Sequence, residues 1–184
     1  MNLPKRLISK SFEDYIPTCQ EALAVKKLVQ QYSEDFDMNS QYGTCLVFLG
    51  TPGTGKTHLA VSLLMELFKA GYKCRYEVAA GVCDRIKATY SSRNHQDKVD
   101  SINFFCAPHL LVIDEIGAQH GTQAEMKILD EVITARYNNA LPTIVISNLD
   151  DLAICDYIGE RAFDRLMENS GVILTFNWES ERLK

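Results

Sequence analysis

The absences in this sequence narrow its function first. None of the six cysteines, Cys19, Cys45, Cys74, Cys83, Cys106 and Cys155, stands in a C-x-x-C pair. A structural zinc site needs ligands paired at short spacing, so the pattern excludes one, and scattered buried thiols of a reducing compartment are expected instead. No apolar run approaches the ~20 residues of a membrane span, and the basic start from Met1 to Lys10 has no apolar signal core. The expectation is a cytoplasmic protein. There is also no basic excess: 19 Lys and Arg stand against 24 Asp and Glu, for a net charge of −5. This argues against broad, charge-driven binding of nucleic acid, though a local basic groove stays open because phosphate contacts depend on where the charges sit. Internal repeats and low-complexity tracts are missing as well. What remains, 184 residues of which 46% are apolar and 23% charged, suits one compact domain with an ordinary core.

The most informative residues present are eight in a row, Gly50-Thr51-Pro52-Gly53-Thr54-Gly55-Lys56-Thr57. They read G-x-x-x-x-G-K-[ST], a phosphate-binding loop. Glycines let backbone N–H groups turn toward a phosphate chain, the lysine reaches the terminal phosphates, and the threonine hydroxyl ligates magnesium. Context supports the motif. Thr44 to Leu49 is an apolar, β-prone run, and from His58 to Phe68 apolar residues recur at helical spacing. Strand, glycine loop and helix N-terminus together make the phosphate site, and a bare turn has no need of Lys56 and Thr57.

Along the rest of the chain, Thr18 is placed to cap a helix whose inward face carries Val25, Leu28, Val29, Tyr32 and Phe36. A second strand is expected over Lys73 to Val78 and a helix over Ala80 to Tyr90, followed by a polar loop over residues 91–97 and a short helix before Pro108. Leu110-Leu111-Val112-Ile113 is a continuous apolar run, as in a strand buried on both faces, Thr143-Ile144-Val145-Ile146 reads as another buried strand, and residues 171–176 make a last strand. Helices are expected over 121–138, 149–158 and 160–168. Five strands alternating with helices predict an α/β fold, a parallel sheet covered on both faces, with ligands at the C-terminal strand ends.

That edge collects the candidate chemistry. Asp114 and Glu115 close the third strand: Asp114 is placed to hold magnesium, and Glu115 to orient and deprotonate an attacking water. A nucleotide kinase has no need of the glutamate, since its nucleophile is another phosphate. Asn148, just past the fourth strand, either senses a γ-phosphate or is a turn residue. Arg161 and Arg165 lie four apart on one helix face; they either pair with Glu160, Asp164 or Glu168, or one of them completes a neighbouring subunit's site. Arg85, Lys87, Arg93 and Lys98 surround Tyr90, which is either a base-stacking platform or a solvated helix end.

From about Ser11 to Arg182 the sequence resembles the ATPase domain of DnaC-type bacterial and phage helicase loaders, within the AAA+ superfamily. The resemblance rests on Phe12-Glu13-Asp14-Tyr15, on Gly50 to His58, on Leu110 to Gly117, and on Gly159-Glu160-Arg161 with Asp164-Arg165 and Phe176-Asn177-Trp178-Glu179-Ser180. Insertion-sequence ATPase subunits share the first motifs but fit this ending less well. The resemblance implies a three-layer P-loop fold of AAA+ type with strand order 5-1-4-3-2 and no separate helical lid, residues 1–17 being a lead-in and 18–184 the ATPase core. It implies ATP and magnesium as ligands, with Gly50, Thr51, Pro52, Gly53, Thr54, Gly55, Lys56, Thr57 and His58 at the nucleotide. It makes Arg165 the arginine finger acting in trans, Arg161 its neighbour and Arg182 a second sensor. Tyr90 and Thr122 then fall where such loaders contact single-stranded DNA, with 121–138 as the DNA-binding element. The expected partners are single-stranded DNA, a replicative helicase and further copies of the chain. Only about ten residues precede the lead-in, so the expectation is a motor core lacking the helicase-docking part. The alternatives are a transposition-associated ATPase and a nucleotide-dependent switch with little turnover.

Overall fold

The computed structural model describes residues 2–90, 95–118 and 121–180. After a short 3-10 turn at Lys5–Leu7 the elements are α1 (Gln20–Glu34), α2 (Phe36–Tyr42), β1 (Leu46–Gly50), α3 (Lys56–Lys69), β2 (Cys74–Val78), α4 (Ala79–Lys87), α5 (His95–Cys106), β3 (Leu110–Ile116), α6 (Gln123–Asn138), β4 (Thr143–Ser147), α7 (Asp151–Ile158), α8 (Glu160–Met167) and β5 (Val172–Phe176). The five strands pair in the order β2-β3-β4-β1-β5, all parallel. This is the expected 5-1-4-3-2 arrangement.

Alternation along the strands divides the core in two. Leu46, Phe48, Val112, Ile144 and Ile146 face α1 and α3, while Val47, Leu49, Leu111, Ile113 and Val145 face the helices from α4 to α8. Both faces are covered, which is why these strands read as unbroken apolar runs.

The first helix differs from its expected form. Its cap is Cys19, whose Sγ accepts from the Ala22 N–H at 3.4 Å, and it breaks at Asp35 before α2 begins. The buried stripe of α1 is Ala22, Val25, Val29 and Tyr32; Leu28 lies on its flank and is 55% exposed. Residues 95–97, read as loop, open α5.

At the opposite edge from the phosphate loop, Arg136 of α6 is fully buried. Its guanidinium donates to the carbonyls of Phe105, Pro108, His109 and Pro142 and to Thr143 Oγ1, at 2.6 to 3.3 Å. Burial brings its pKa down to about 10, so it stays a cation at neutral pH and ties the entries to β3 and β4 to α6.

Candidate nucleotide site

The loop between β1 and α3 is held from outside. Gly50 has φ +123°, and a Cβ there would lie 2.3 Å from the Phe176 carbonyl oxygen, so no other residue fits. The carbonyl of Phe176 accepts from the Thr51 N–H at 3.0 Å, tying the loop to the end of β5. Gly55, at φ +93°, leaves room for the Tyr15 ring, which a Cβ would meet at 2.3 Å. The carbonyl of the fully buried Thr54 accepts twice, from Tyr15 Oη at 3.2 Å and from Trp178 Nε1 at 3.0 Å. Lys26 Nζ in turn donates to the Tyr15 carbonyl at 2.9 Å. Segments from both ends of the chain thus fix one peptide of the loop. His58 faces the same strap: its Nε2 lies 2.9 Å from the Ser11 carbonyl, and its ring meets Tyr15 edge-on at 5.5 Å.

Inside the loop, Lys56 opens α3, and its Nζ donates to the Gly50 and Thr51 carbonyls, each at 2.7 Å. Thr57 Oγ1 donates to Asp114 Oδ2 at 2.8 Å. The same oxygen accepts from Tyr76 Oη at 2.8 Å, and Asp114 Oδ1 accepts from the Glu115 N–H at 2.7 Å. Three donors therefore orient a carboxylate that is 3% exposed. Burial, then the adjacent Asp114 charge, raises the Tyr76 pKa, which keeps its hydroxyl a donor.

Glu115 owes its position to an irregularity. In register, Ile113 pairs with Val145 but Ile116 pairs with Ser147, so β3 carries one extra residue there. Glu115 takes up the bulge with φ +61°, an unusual backbone for a residue with a side chain, and it is exposed where Asp114 is buried. Ser147 Oγ donates to the Ile116 carbonyl at 2.6 Å and accepts from the Leu149 N–H, which sets the exposed Asn148 beside the end of β3. Lys56, Thr57, Asp114, Glu115 and Asn148 therefore share one sheet edge.

The remaining candidates lie elsewhere. Arg165 lines a small cleft with Gly43, Cys45 and Thr143, at the N-terminal ends of the strands and away from Lys56. Its Nη1 donates to Asp130 Oδ1 at 3.1 Å, and its guanidinium carbon lies 6.0 Å from the Tyr137 ring centre. Arg161 is exposed on the same helix, and Arg182 lies outside the described residues. Thr122 caps α6 reciprocally with Glu125, each side chain accepting from the other's N–H. Glu125 also pairs with Lys87 at 2.9 Å, joining the end of α4 to the start of α6. That hydrogen bond holds the Lys87 pKa above, and the Glu125 pKa below, their ordinary values. Tyr90 is 53% exposed, with Lys98 Nζ at 5.9 Å from its ring centre.

Two buried thiols are held inert: burial pushes Cys74 up to about 12 and Cys83 up to about 11, so both are protonated at neutral pH. Among the described residues no helix is long and apolar enough to cross a membrane.

Residues 1–184 match the IstB-like ATP-binding proteins throughout. The chain belongs to that family. The replicative helicase loader DnaC of Escherichia coli K12 is 31% identical over 172 residues, which is 94% of this chain and 69% of that protein. DnaC of Buchnera aphidicola subsp. Baizongia pistaciae is 32% identical over 174 residues, 95% of this chain and 70% of the relative. In fold, a crystal structure of the DnaC helicase loader superposes with a TM-score of 0.82 at 22% identity, covering 94% of this chain and 99% of the other. AMPPCP-bound DnaA from Aquifex aeolicus gives 0.76 at 19% identity, covering 100% and 54%. The architecture is the P-loop AAA+ one.

In this IstB/DnaC-type ATP-binding domain, three contacts had no role assigned from sequence: Tyr76 on Asp114, and Tyr15 and Trp178 on Thr54. Tyr15 and Trp178 stood within motifs already singled out, but nothing local says that they meet. A measurable consequence follows at Trp178, the single tryptophan of the chain. Trp178→Phe keeps the ring against Phe176 but removes one donor from the Thr54 carbonyl, a loss of about 1 kcal/mol. Calorimetry is expected to show ATP affinity weakened several-fold, and the wild-type tryptophan emission is expected to shift when ATP is added.

Proposed function

We propose that this chain is the ATP-hydrolysing core of a replicative helicase loader, assembling with copies of itself on single-stranded DNA. The observation that carries the reading is the shared edge at which Lys56, Thr57 and Asp114 meet with Glu115 exposed beside them. The loader assignment is supported by relatives bearing that name which align over most of both chains.

On this reading the Lys56 ammonium exchanges its loop carbonyls for β- and γ-phosphate oxygens, and the N–H groups at the start of α3 face the same phosphates. Thr57 and Asp114 suit magnesium. They are hard oxygen donors 2.8 Å apart, and among the described residues no group of three or more His, Cys, Asp or Glu forms an all-protein metal cage. Magnesium typically keeps water and phosphate oxygens as its other ligands. Bound there, it would neutralise phosphate charge. Glu115 orients a water and takes its proton as the water oxygen bonds to the γ-phosphorus. The bond to the β–γ bridging oxygen breaks, releasing ADP and phosphate. Asn148 hydrogen-bonds the γ-phosphate or that water. Arg165 from the neighbouring copy completes the site, with Arg161 beside it and Arg182 as a second sensor. The helicase is the partner acted upon, and the site of action is the cytoplasm.

ATP turnover per chain, measured against protein concentration with and without single-stranded DNA, tests the whole reading. Turnover is expected to rise with concentration and again with DNA. Low turnover, indifferent to both, would return the nucleotide-switch alternative, and phosphate transfer to an added nucleotide would return a kinase.

A further inference from the structure

We propose that Arg75, Phe104 and Arg85 form a contact for the phosphate backbone of single-stranded DNA at the β2 edge of the sheet, with Tyr90 as its base-stacking neighbour. The proposal rests on the single-strand-binding part of the function above and gives it residues.

The guanidinium carbon of Arg75 lies 3.8 Å from the Phe104 ring centre, and that of Arg85 lies 3.5 Å from it. Two guanidinium groups this near one ring centre must occupy opposite faces, so the phenylalanine is sandwiched. β2 is an end strand of the sheet, and the two arginines line an open, polar cleft of about 440 Å³ with Asn2, Glu77 and Gly81. Stacking on a ring consumes no hydrogen-bond donor, because all five N–H groups of a guanidinium lie in its own plane. Both forks are held in place before any anion arrives, which reduces the entropy lost on binding.

The charges favour an anion here over its neighbours. Lys87 and Lys98, which the sequence groups around Tyr90, are engaged by Glu125 at 2.9 Å and by Glu131 at 2.8 Å. Arg75 shares Glu77 at 3.1 Å, and Glu77 is further occupied by Asn2. Arg85 makes no ion pair among the described residues. The cleft therefore holds one cation more than its carboxylate balances. Arginine forks match the paired oxygens of a phosphodiester. An acidic peptide could use the same forks but has no use for Tyr90. That ring lies in the turn that follows α4, the helix that carries Arg85, is 53% exposed, and has Lys98 close by. Backbone cations beside an exposed aromatic are the chemistry of single-strand binding.

Fluorescence anisotropy of a labelled oligothymidylate with the full chain, over a salt series, tests this. Arg75→Ala/Arg85→Ala is expected to bind roughly tenfold more weakly, with a salt slope shallower by about 1.4, the share of two phosphate contacts on a single strand. Glu77→Gln is expected to bind more tightly, since it removes the competing carboxylate. Tyr90→Ala is expected to weaken binding without changing the slope. Thermal unfolding and ATP binding serve as the check on folding, and the exposed Arg85→Ala alone, with half the slope change, carries the test if the double variant unfolds. If wild type binds and the arginine variants match it in affinity and slope, this contact is wrong while the single-strand reading stands. If the ATP-bound wild type does not bind the oligonucleotide, both fail. Displacement of the oligonucleotide by polyglutamate at equal charge concentration would assign the cleft to an acidic partner and overturn the proposal.

Discussion

Glu115→Gln is expected to keep ATP affinity within a few-fold of wild type and to lower turnover about 10²–10⁴-fold, the usual contribution of a positioned general base. The amide has the size of the carboxylate but cannot accept the proton of the attacking water. Stability should not confuse the result. Glu115 is exposed, and its unusual φ of +61° belongs to the bulge of β3, which glutamine inherits unchanged. ATP affinity can be followed by calorimetry and hydrolysis by phosphate release. The ATP-bound assembly of this variant should also outlive that of wild type, because the step that ends it is blocked. Unchanged turnover would remove Glu115 from the proposed mechanism.

The frame around this residue was legible in the sequence because each part is encoded locally. Residues 110–113 and 144–146 are apolar at every position, as double-sided burial requires, and the glycine loop sits between a β-prone run and a helical one. The bulge was not legible. Strict alternation would put Asp114 and Glu115 on opposite faces of the sheet, and only the pairing with β4 shows that Ile113 and Ile116 share a face with one extra residue between them. The clamp on the loop was hidden for a different reason: Tyr15 and Trp178 lie 39 and 124 residues from Thr54, and no periodicity spans such distances. Arg136 reads as an ordinary charge on α6, yet its partners are carbonyls that become neighbours only when the segments leading into β3 and β4 converge. The cap at Thr122 was readable, since Thr122-Gln123-Ala124-Glu125 is a capping-box pattern. Its hydroxyl is engaged by the helix, which weakens the case for it as a DNA ligand relative to Tyr90.

Arg165→Ala is expected to lower turnover of the assembled protein about 10³-fold while leaving ATP binding to the single chain unchanged, the behaviour of an arginine finger supplied by a neighbour. The geometry supports action in trans. Arg165 stands with Cys45 and Thr143 at the strand ends opposite Lys56, so a fold kept intact cannot bring it to its own phosphates. Its ion pair with Asp130 is partly exposed, and such pairs contribute about 0–1 kcal/mol, so release toward a neighbouring phosphate costs little. Mixing separates this role from a structural one. An Arg165→Ala chain has an intact loop, and a Lys56→Ala chain has an intact finger; each is expected to be inactive alone. In a head-to-tail assembly of equal parts, about a quarter of the interfaces join an intact loop to an intact finger, and activity should recover in proportion. A finger acting within its own chain predicts no recovery at any ratio. A purely structural Arg165 predicts loss of assembly itself, visible by sedimentation before any ATP is turned over.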